Sequence, residues 1–404
     1  MKVTHSLKRI LFVCAVNLVC FSCVASNKHD GHKFKKEQAK LGVDFVYFPD
    51  MKGQTRRVSL KYDNHTQVKL EEFYNNEKLF ADHKKIGRLR SAALKDMNDA
   101  FNFSNEVHFI LYTRELNDSI GTGVNLTTFD FKEYNITRDT KIIFHGYMEN
   151  GSSDFDLVIT NSYLKVSDVN IIVVDWSYLS GTYLYTKAVM SLGEVADYCA
   201  KFVAYLIRVV GVKQNQLHFI GFSLGAHLAG FTGKRLRAIY SETIQRISGL
   251  DPAAPLFEEV NLNQQDANFV DIIHTDGHIL GLYKATGHVD FYPNGGVSPQ
   301  PDCYNINPVE IDICSHTNSW KLYSETIINE HLYTANCSDD KQYPMGKGTP
   351  IEARGNCILS TDTDQAMIWF KNLKQEFSLL HFSNKLVSKI FNFFDIKIFN
   401  DTVN

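Results

Sequence analysis

The chain has 404 residues, 44% of them hydrophobic and 22% charged, with a formal net charge of -3. That length suits one large domain or two modest ones, and the near-neutral balance gives no case for a nucleic-acid partner. No apolar run in the body of the chain approaches the roughly 20 residues that span a bilayer.

At the start, Lys2, Lys8 and Arg9 precede an apolar stretch over 10–24, and the small residues Ala25 and Ser26 follow. This is the order of a secretory signal peptide, so residues 1–25 are expected to be removed and the protein exported. Asn-x-Ser/Thr sequons at Asn64, Asn102, Asn117, Asn125, Asn135, Asn150, Asn336 and Asn400 agree with export and predict a glycosylated surface. Cys14, Cys20 and Cys23 would leave with the leader. In an oxidising compartment the close pairs Cys303 with Cys314 and Cys337 with Cys357 are disulfide candidates, although spacing alone fixes neither. Cys199 is then left over in a helical pattern, as an expected buried free thiol.

Residues 26–42 are charged, lack apolar periodicity and read as a flexible lead-in. Short strand-like runs follow at 43–48, 57–62 and 108–113, and 84–97 reads as a loop or short helix. From 141 the period alternates. Strands are predicted at 141–145, 170–176, 216–222, 246–250 and 269–274, with helices at 185–210 and 224–237. Strands apolar on both faces and separated by helices predict an α/β fold, a mostly parallel sheet covered on both sides, over 43–365. In the tail, 366–404, Leu379, Phe382, Leu386, Ile390 and Phe394 recur at helical spacing. Such an amphipathic helix packs on the domain or rests on a lipid surface, and packing is the commoner use.

The strongest chemical signal is Gly221-Phe222-Ser223-Leu224-Gly225, between a predicted strand and a predicted helix. The glycines allow a sharp turn that lifts the serine Oγ clear of the sheet, the nucleophile elbow of serine esterases. A serine hydroxyl needs a base, and the base needs an orienting acid, in the chain order Ser, Asp, His for this fold. Asp251 ends the next strand, and Pro252 stops that strand from continuing. Among fifteen histidines, His316 follows Asp251 on a polar segment and is the preferred base. His227 lies four residues past Ser223 on the helix and reads as structural, and His274 and His288 lie in strand-like runs as satisfied core histidines. Two N–H donors are needed for an oxyanion. Leu224, just after the nucleophile, and Tyr147, after the strand ending in His145-Gly146, are the candidates.

These motifs resemble the animal pancreatic-lipase family. The matching stretches are Ile142-Ile143-Phe144-His145-Gly146-Tyr147, Val173-Val174-Asp175-Trp176-Ser177, Gly221-Phe222-Ser223-Leu224-Gly225-Ala226-His227 and Gly249-Leu250-Asp251-Pro252-Ala253. They continue through His274-Thr275-Asp276-Gly277, Gly287-His288-Val289-Asp290-Phe291-Tyr292-Pro293-Asn294-Gly295-Gly296 and Cys314-Ser315-His316. The resemblance, over about 43–360, implies the α/β-hydrolase fold, the triad Ser223, Asp251 and His316, and oxyanion donors Tyr147 and Leu224. It also implies that Cys303 and Cys314 close a lid over the site. Only residues 304–313 lie between them, and the loop 276–286 is short too. Both short forms look like the phospholipase A1 branch rather than the full-length triacylglycerol lipases.

Too few residues follow His316 to build the family's C-terminal β-sandwich, so colipase is not an expected partner. Some members bind calcium after the acid segment. Here Asn261 and Asn263 stand where charged ligands would be, leaving Asp266, so no metal and no cofactor are expected. The spacing around Cys337 and Cys357 departs from the family's. Three functions follow in order: a phospholipase A1, a triacylglycerol lipase of the same mechanism, and a non-catalytic yolk-type lipid-binding protein.

Overall fold

The structure, a computed structural model, describes residues 45–52, 54–80, 106–116, 124–125, 133–304, 306 and 310–361. The expected signal peptide, the lead-in at 26–42, the segment 84–97 and the tail helix of 366–404 lie outside the described residues. The chain divides into two units, residues 1–46 and 47–404, and of the first only Phe45 and Val46 are described.

In chain order the elements are β1 (Phe45–Pro49), β2 (Thr55–Ser59), α1 (Asn64–Leu79), β3 (His108–Tyr112), β4 (Val124–Asn125), β5 (Thr140–Phe144), α2 (Asp154–Val166) and β6 (Asn170–Asp175). Then come α3 (Ser177–Ser180), α4 (Tyr185–Tyr205), β7 (Leu217–Phe222), α5 (Leu224–Arg235), β8 (Arg246–Leu250), β9 (Phe269–Ile273) and β10 (Val289–Pro293). The last are α6 (Ile311–Ile328), β11 (Thr334–Cys337), β12 (Gln342–Pro344) and β13 (Gly355–Leu359). β1 and β2 form a small sheet of their own.

Among the described residues one sheet runs in the order β12-β11-β13-β10-β9-β8-β7-β5-β6-β3-β4. From β13 to β6 every neighbour is parallel, and the antiparallel pairs are confined to the two ends. Parallel strands must be covered on both faces, and β7, β9 and β10 are buried at every position. On one face Phe155, Ile159 and Tyr163 of α2 and Trp320, Tyr323 and Ile327 of α6 pack on Ile143, Val173, Ile220 and Leu250. The Tyr163 and Tyr323 hydroxyls, 2.8 Å apart, link the two helices. On the opposite face Phe202 of α4 stacks on Phe109 of β3 with ring centroids 3.8 Å apart.

Register decides which residues meet at the C-terminal edge of this sheet. Phe144 is level with Gly221, Phe222 with Leu250, and Leu250 with Ile273. The chain therefore leaves the sheet at His145, Ser223, Asp251 and His274 along one rim, where ligands of parallel α/β sheets bind.

Four helices, α1, α2, α3 and α6, differ from the sequence reading. α1 begins at Asp63, whose carboxylate accepts the Thr66 N–H at 2.8 Å, a cap signal that weak apolar spacing obscured. It is anchored by the ion pair of Glu77 with Arg235 of α5 (2.6 and 2.9 Å), both side chains almost fully buried. α2, α3 and α6 were not foreseen. The predicted helices over 185–210 and 224–237 end in π turns at Leu206–Val210 and Leu236–Tyr240.

Candidate active site

Ser223 stands between β7 and α5 with φ 55° and ψ -120°, a conformation costing roughly 1–3 kcal/mol for a residue with a Cβ. Its flanking glycines are forced by proximity. A Cβ on Gly225 would lie 2.0 Å from the Phe144 carbonyl oxygen, and one on Gly221 would lie 2.4 Å from that of Gly225. Ser223 is tied to the neighbouring strand end, its N–H donating to Leu250 O (3.1 Å) and its carbonyl accepting from Ala253 N (3.3 Å).

Asp251, the residue after β8, is also in the left-handed region at φ 43° and is fully buried. Its Oδ2 accepts from His316 Nδ1 at 2.6 Å. Its Oδ1 accepts the N–H groups of Thr275 (2.8 Å) and Asp276 (3.2 Å). Both oxygens are thus committed, one to the imidazole and one to the loop after β9.

His316, on a polar segment of the sequence, lies in the second turn of α6. Its ring packs over Phe222, centroids 4.7 Å apart, which brings it beside the elbow. The Cys303–Cys314 disulfide closes two residues before it, and Ser315 Oγ accepts the Gln300 N–H at 3.0 Å. With Nδ1 donating to Asp251, His316 Nε2 is buried and has no partner among the described residues, leaving its lone pair free.

Leu224 is the first residue of α5, so its N–H is one of the four that a helix leaves without an internal partner. Tyr147 lies in the loop after β5. Its hydroxyl donates to Thr182 O (2.7 Å), and its ring meets Phe48 and Tyr185 edge-on. Met148 beside it has φ 59°, and its N–H donates to Ser180 O at 3.2 Å. A residue that sequence reasoning missed completes this loop: Gly146 N–H donates to Glu149 Oε2 at 2.6 Å.

The competing histidines are committed elsewhere. His227 bonds Ala253 O (2.8 Å) and the Leu262 N–H (3.1 Å) and stacks on Phe257. His274 bonds Leu282 O (2.6 Å) and Asp290 Oδ1 (2.8 Å), and His288 Nδ1 accepts the Val270 N–H at 3.0 Å.

Among the described residues, Asp251, Asp276 and His316 are the one carboxylate–imidazole group close enough to share a cation, their ligand atoms lying within 4.8 Å. Both Asp251 oxygens already accept hydrogen bonds, from His316 and from the Thr275 and Asp276 N–H groups. Burial, then the charges of Asp312 and Asp251, push the Asp276 carboxyl well up. At the segment where the family resemblance would place calcium ligands, the amide nitrogens and one carboxylate oxygen meet the backbone. Asn261 Nδ2 donates to Phe257 O (3.0 Å), Asn263 Nδ2 to Asn261 O (3.1 Å), and Asp266 Oδ2 accepts the Asn263 N–H (2.9 Å). Asp266 Oδ1 is buried without a partner among the described residues, but one carboxylate and two amides are a poor match to the roughly six to eight oxygens, several of them charged, that a calcium ion takes.

Both disulfides inferred from close spacing are present, Cys303–Cys314 and Cys337–Cys357, and Cys199 is a buried free thiol. Of the expected lid, residues 305 and 307–309 lie outside the described residues. No described helix is long and apolar enough to cross a membrane.

A parallel sheet with a strained serine elbow after one strand, an acid after the next and a histidine hydrogen-bonded to that acid defines the α/β-hydrolase fold. The chain belongs to the lipase family, whose model, described as Lipase, matches residues 71–384. It is 37% identical over 253 residues to lipase member H of Xenopus tropicalis, covering 60% of this chain and 54% of the relative. It is 36% identical over 277 residues to pancreatic lipase-related protein 2 of Bos taurus (62% and 58%). It is 37% identical over 272 residues to human pancreatic triacylglycerol lipase (61% and 57%). The match thus spans a little over half the length of these curated relatives.

Proposed function

We propose that this protein is a secreted serine esterase that hydrolyses the sn-1 acyl ester of glycerophospholipids. The observation that carries the reading is the 2.6 Å contact of His316 Nδ1 with Asp251 Oδ2, on the rim where Ser223 stands in its strained turn. His316 Nε2 takes the Ser223 proton as Oγ attacks the acyl carbon. The oxyanion is held by the N–H groups of Tyr147 and Leu224. His316 then protonates the leaving lysophospholipid alcohol, which departs, and the acyl group remains on Ser223. Water, deprotonated by the same nitrogen, releases the fatty acid and restores the serine. Asp251 keeps the imidazole in the tautomer with its lone pair on Nε2 and offsets its charge when it is protonated. A lipid surface, membrane or micelle, is the proposed partner, and Cys303–Cys314 the base of a short lid.

Phospholipid is put before triacylglycerol as substrate because Cys303 and Cys314 are separated by only 11 in sequence, and a lid that short would leave the site open to a polar headgroup. A triacylglycerol lipase is the second reading, favoured by the equal identity to lipase member H and to pancreatic triacylglycerol lipase. Fatty-acid release from phosphatidylcholine labelled separately at sn-1 and sn-2, with triolein in parallel and Ser223→Ala as control, decides. Sn-1 release above triolein hydrolysis and lost in Ser223→Ala is expected. Dominant triolein hydrolysis would move the assignment to the second reading, and no ester hydrolysis at all would leave the lipid-binding one.

A further inference from the structure

We propose that Glu149 is a positioning residue of this site: its carboxyl holds the Gly146 N–H and so presents the next N–H, that of Tyr147, to the reacting acyl group. The inference rests on the ester-hydrolase reading above. Three groups converge on Gly146. From the point a Cβ would occupy there, Glu149 Oε2 is 3.0 Å away, Ser223 Cβ 3.1 Å and the Phe222 ring 3.3 Å. Glu149 therefore sits beside the nucleophile, and its Oε2 closes a four-residue turn on Gly146 N–H at 2.6 Å.

The rest of the turn is held from the α3 side. Met148 N–H donates to Ser180 O at 3.2 Å, and Ser180 Oγ donates to the Glu149 carbonyl at 3.3 Å. Gly146 is the weak point of this arrangement, because a residue without a Cβ can rotate through conformations closed to others. Rotation there turns the Gly146–Tyr147 peptide and takes the Tyr147 N–H out of line. Two side chains hold Gly146 against it: Glu149 Oε2 accepts its N–H at 2.6 Å, and His145 Nδ1 donates to its carbonyl oxygen at 3.0 Å, on the peptide that carries the Tyr147 N–H.

The charge of the group is compatible with this role. A carboxylate beside a developing oxyanion would repel it. The groups facing Glu149 are His145 after β5, His316 of α6, and Asp154 and Asp156 of α2. Burial, the largest influence, pushes the Glu149 carboxyl up against the opposing pull of His145, Gly146 N–H and His316. An oxygen of this carboxyl accepts the Gly146 N–H whether or not the group carries a proton.

The test compares wild type, Glu149→Gln, Glu149→Ala and Ser223→Ala on a soluble p-nitrophenyl ester, with kcat and KM separated. The rate of Ser223 phosphorylation by diethyl p-nitrophenyl phosphate, read by protein mass, is measured alongside, with thermal unfolding as the check on folding. Glu149→Ala should lower kcat by about 10²–10³-fold, the usual effect of losing one oxyanion donor, with KM within about threefold. Phosphorylation should slow in step, since its transition state needs the same donors. Glu149→Gln keeps an acceptor oxygen and should stay within about tenfold of wild type. Glu149→Ala matching wild type, a loss confined to KM, or Glu149→Gln as impaired as Glu149→Ala would overturn the inference while leaving the esterase reading intact. Should Glu149→Ala not fold, Glu149→Gln decides, a loss beyond about tenfold overturning the inference. A wild type as inactive as Ser223→Ala would remove the esterase reading and this inference with it.

Discussion

Asp251 and Gly281 share one small volume: a Cβ on Gly281 would lie 2.3 Å from Asp251 Oδ2, the oxygen that accepts from His316. The loop after β9 is therefore part of the acid's seat. It supplies two N–H groups to Oδ1 and the space for Oδ2.

Gly281→Ala should displace the acid and cost about 10²–10⁴-fold in kcat, approaching the effect of disabling the acid of such a triad. KM should change little. Steady-state kinetics with a denaturation curve checks this. Near-normal kcat in a folded Gly281→Ala protein would show that Oδ2 does not orient the base.

Ser223 predicts the opposite of the usual mutational cost. At φ 55° and ψ -120° its Cβ is strained, and glycine is not. Ser223→Gly should be inactive yet more stable than Ser223→Ala by about 1–2 kcal/mol, after allowing for glycine's greater freedom when unfolded. Both lack the hydroxyl, so the comparison isolates backbone strain. Equal denaturation midpoints for the two variants would mean that the elbow is relaxed.

The parallel strands β5 to β9 were legible because each is apolar on both faces, and the rim residues followed once strand ends were known. By contrast, β10 was read only as a strand-like run at His288, and the partly exposed β13 was not read as a strand. Ser223 and Asp251 needed little more than their motifs and the neighbouring strands β7 and β8. His316 needed the resemblance as well, because its helix could not be read. The buried face of α6 carries Ser315, His316, Asn318 and Ser319 beside Trp320, Leu322 and Tyr323, so polar groups break the apolar period. Glu149 was illegible for a different reason. Its contact with Gly146 depends on a turn through Met148 at φ 59°, and no residue in that stretch announces such a conformation. The short stretch between β6 and α4 hid a second dependence, since Ser180 and Thr182 hold the Tyr147 loop mainly by their backbone carbonyls, with Ser180 Oγ adding a bond to the Glu149 carbonyl.

Cys303–Cys314 closes a sequence separation of 11 and pins the first turn of α6 to the 3-10 turn Pro301–Cys303. Loop-closure entropy puts its contribution at about 2–3 kcal/mol. A Cys303→Ser, Cys314→Ser double variant should lose about that much stability. It should also lower kcat, because His316 stands two residues past Cys314 on the loosened turn. Thermal unfolding and kcat, measured on the same preparation, report the two effects. A stability loss with kcat unchanged would show that α6 holds His316 without the bond.

His227 gives a pH dependence of stability. Burial lowers its imidazole to about 3, against the opposing pull of the Ala253 carbonyl. The native protein thus keeps this ring neutral, while the unfolded chain binds a proton below about pH 6.5. The sign follows: above about pH 6.5 the group costs nothing, and as pH falls the unfolded state gains protons that the native state refuses. Stability should drop by about 1.4 kcal/mol per pH unit on its account between about pH 6.5 and the folded value. His227→Gln can still donate to Ala253 O and accept from Leu262 N–H but does not titrate. It should be less stable than wild type near neutrality, where the Phe257 stacking is lost, and should close that gap in acid. Urea midpoints from pH 7.5 to 4.5 for the two proteins measure the difference in slope. Parallel curves would mean that His227 takes up its proton in the folded state as readily as in the unfolded one.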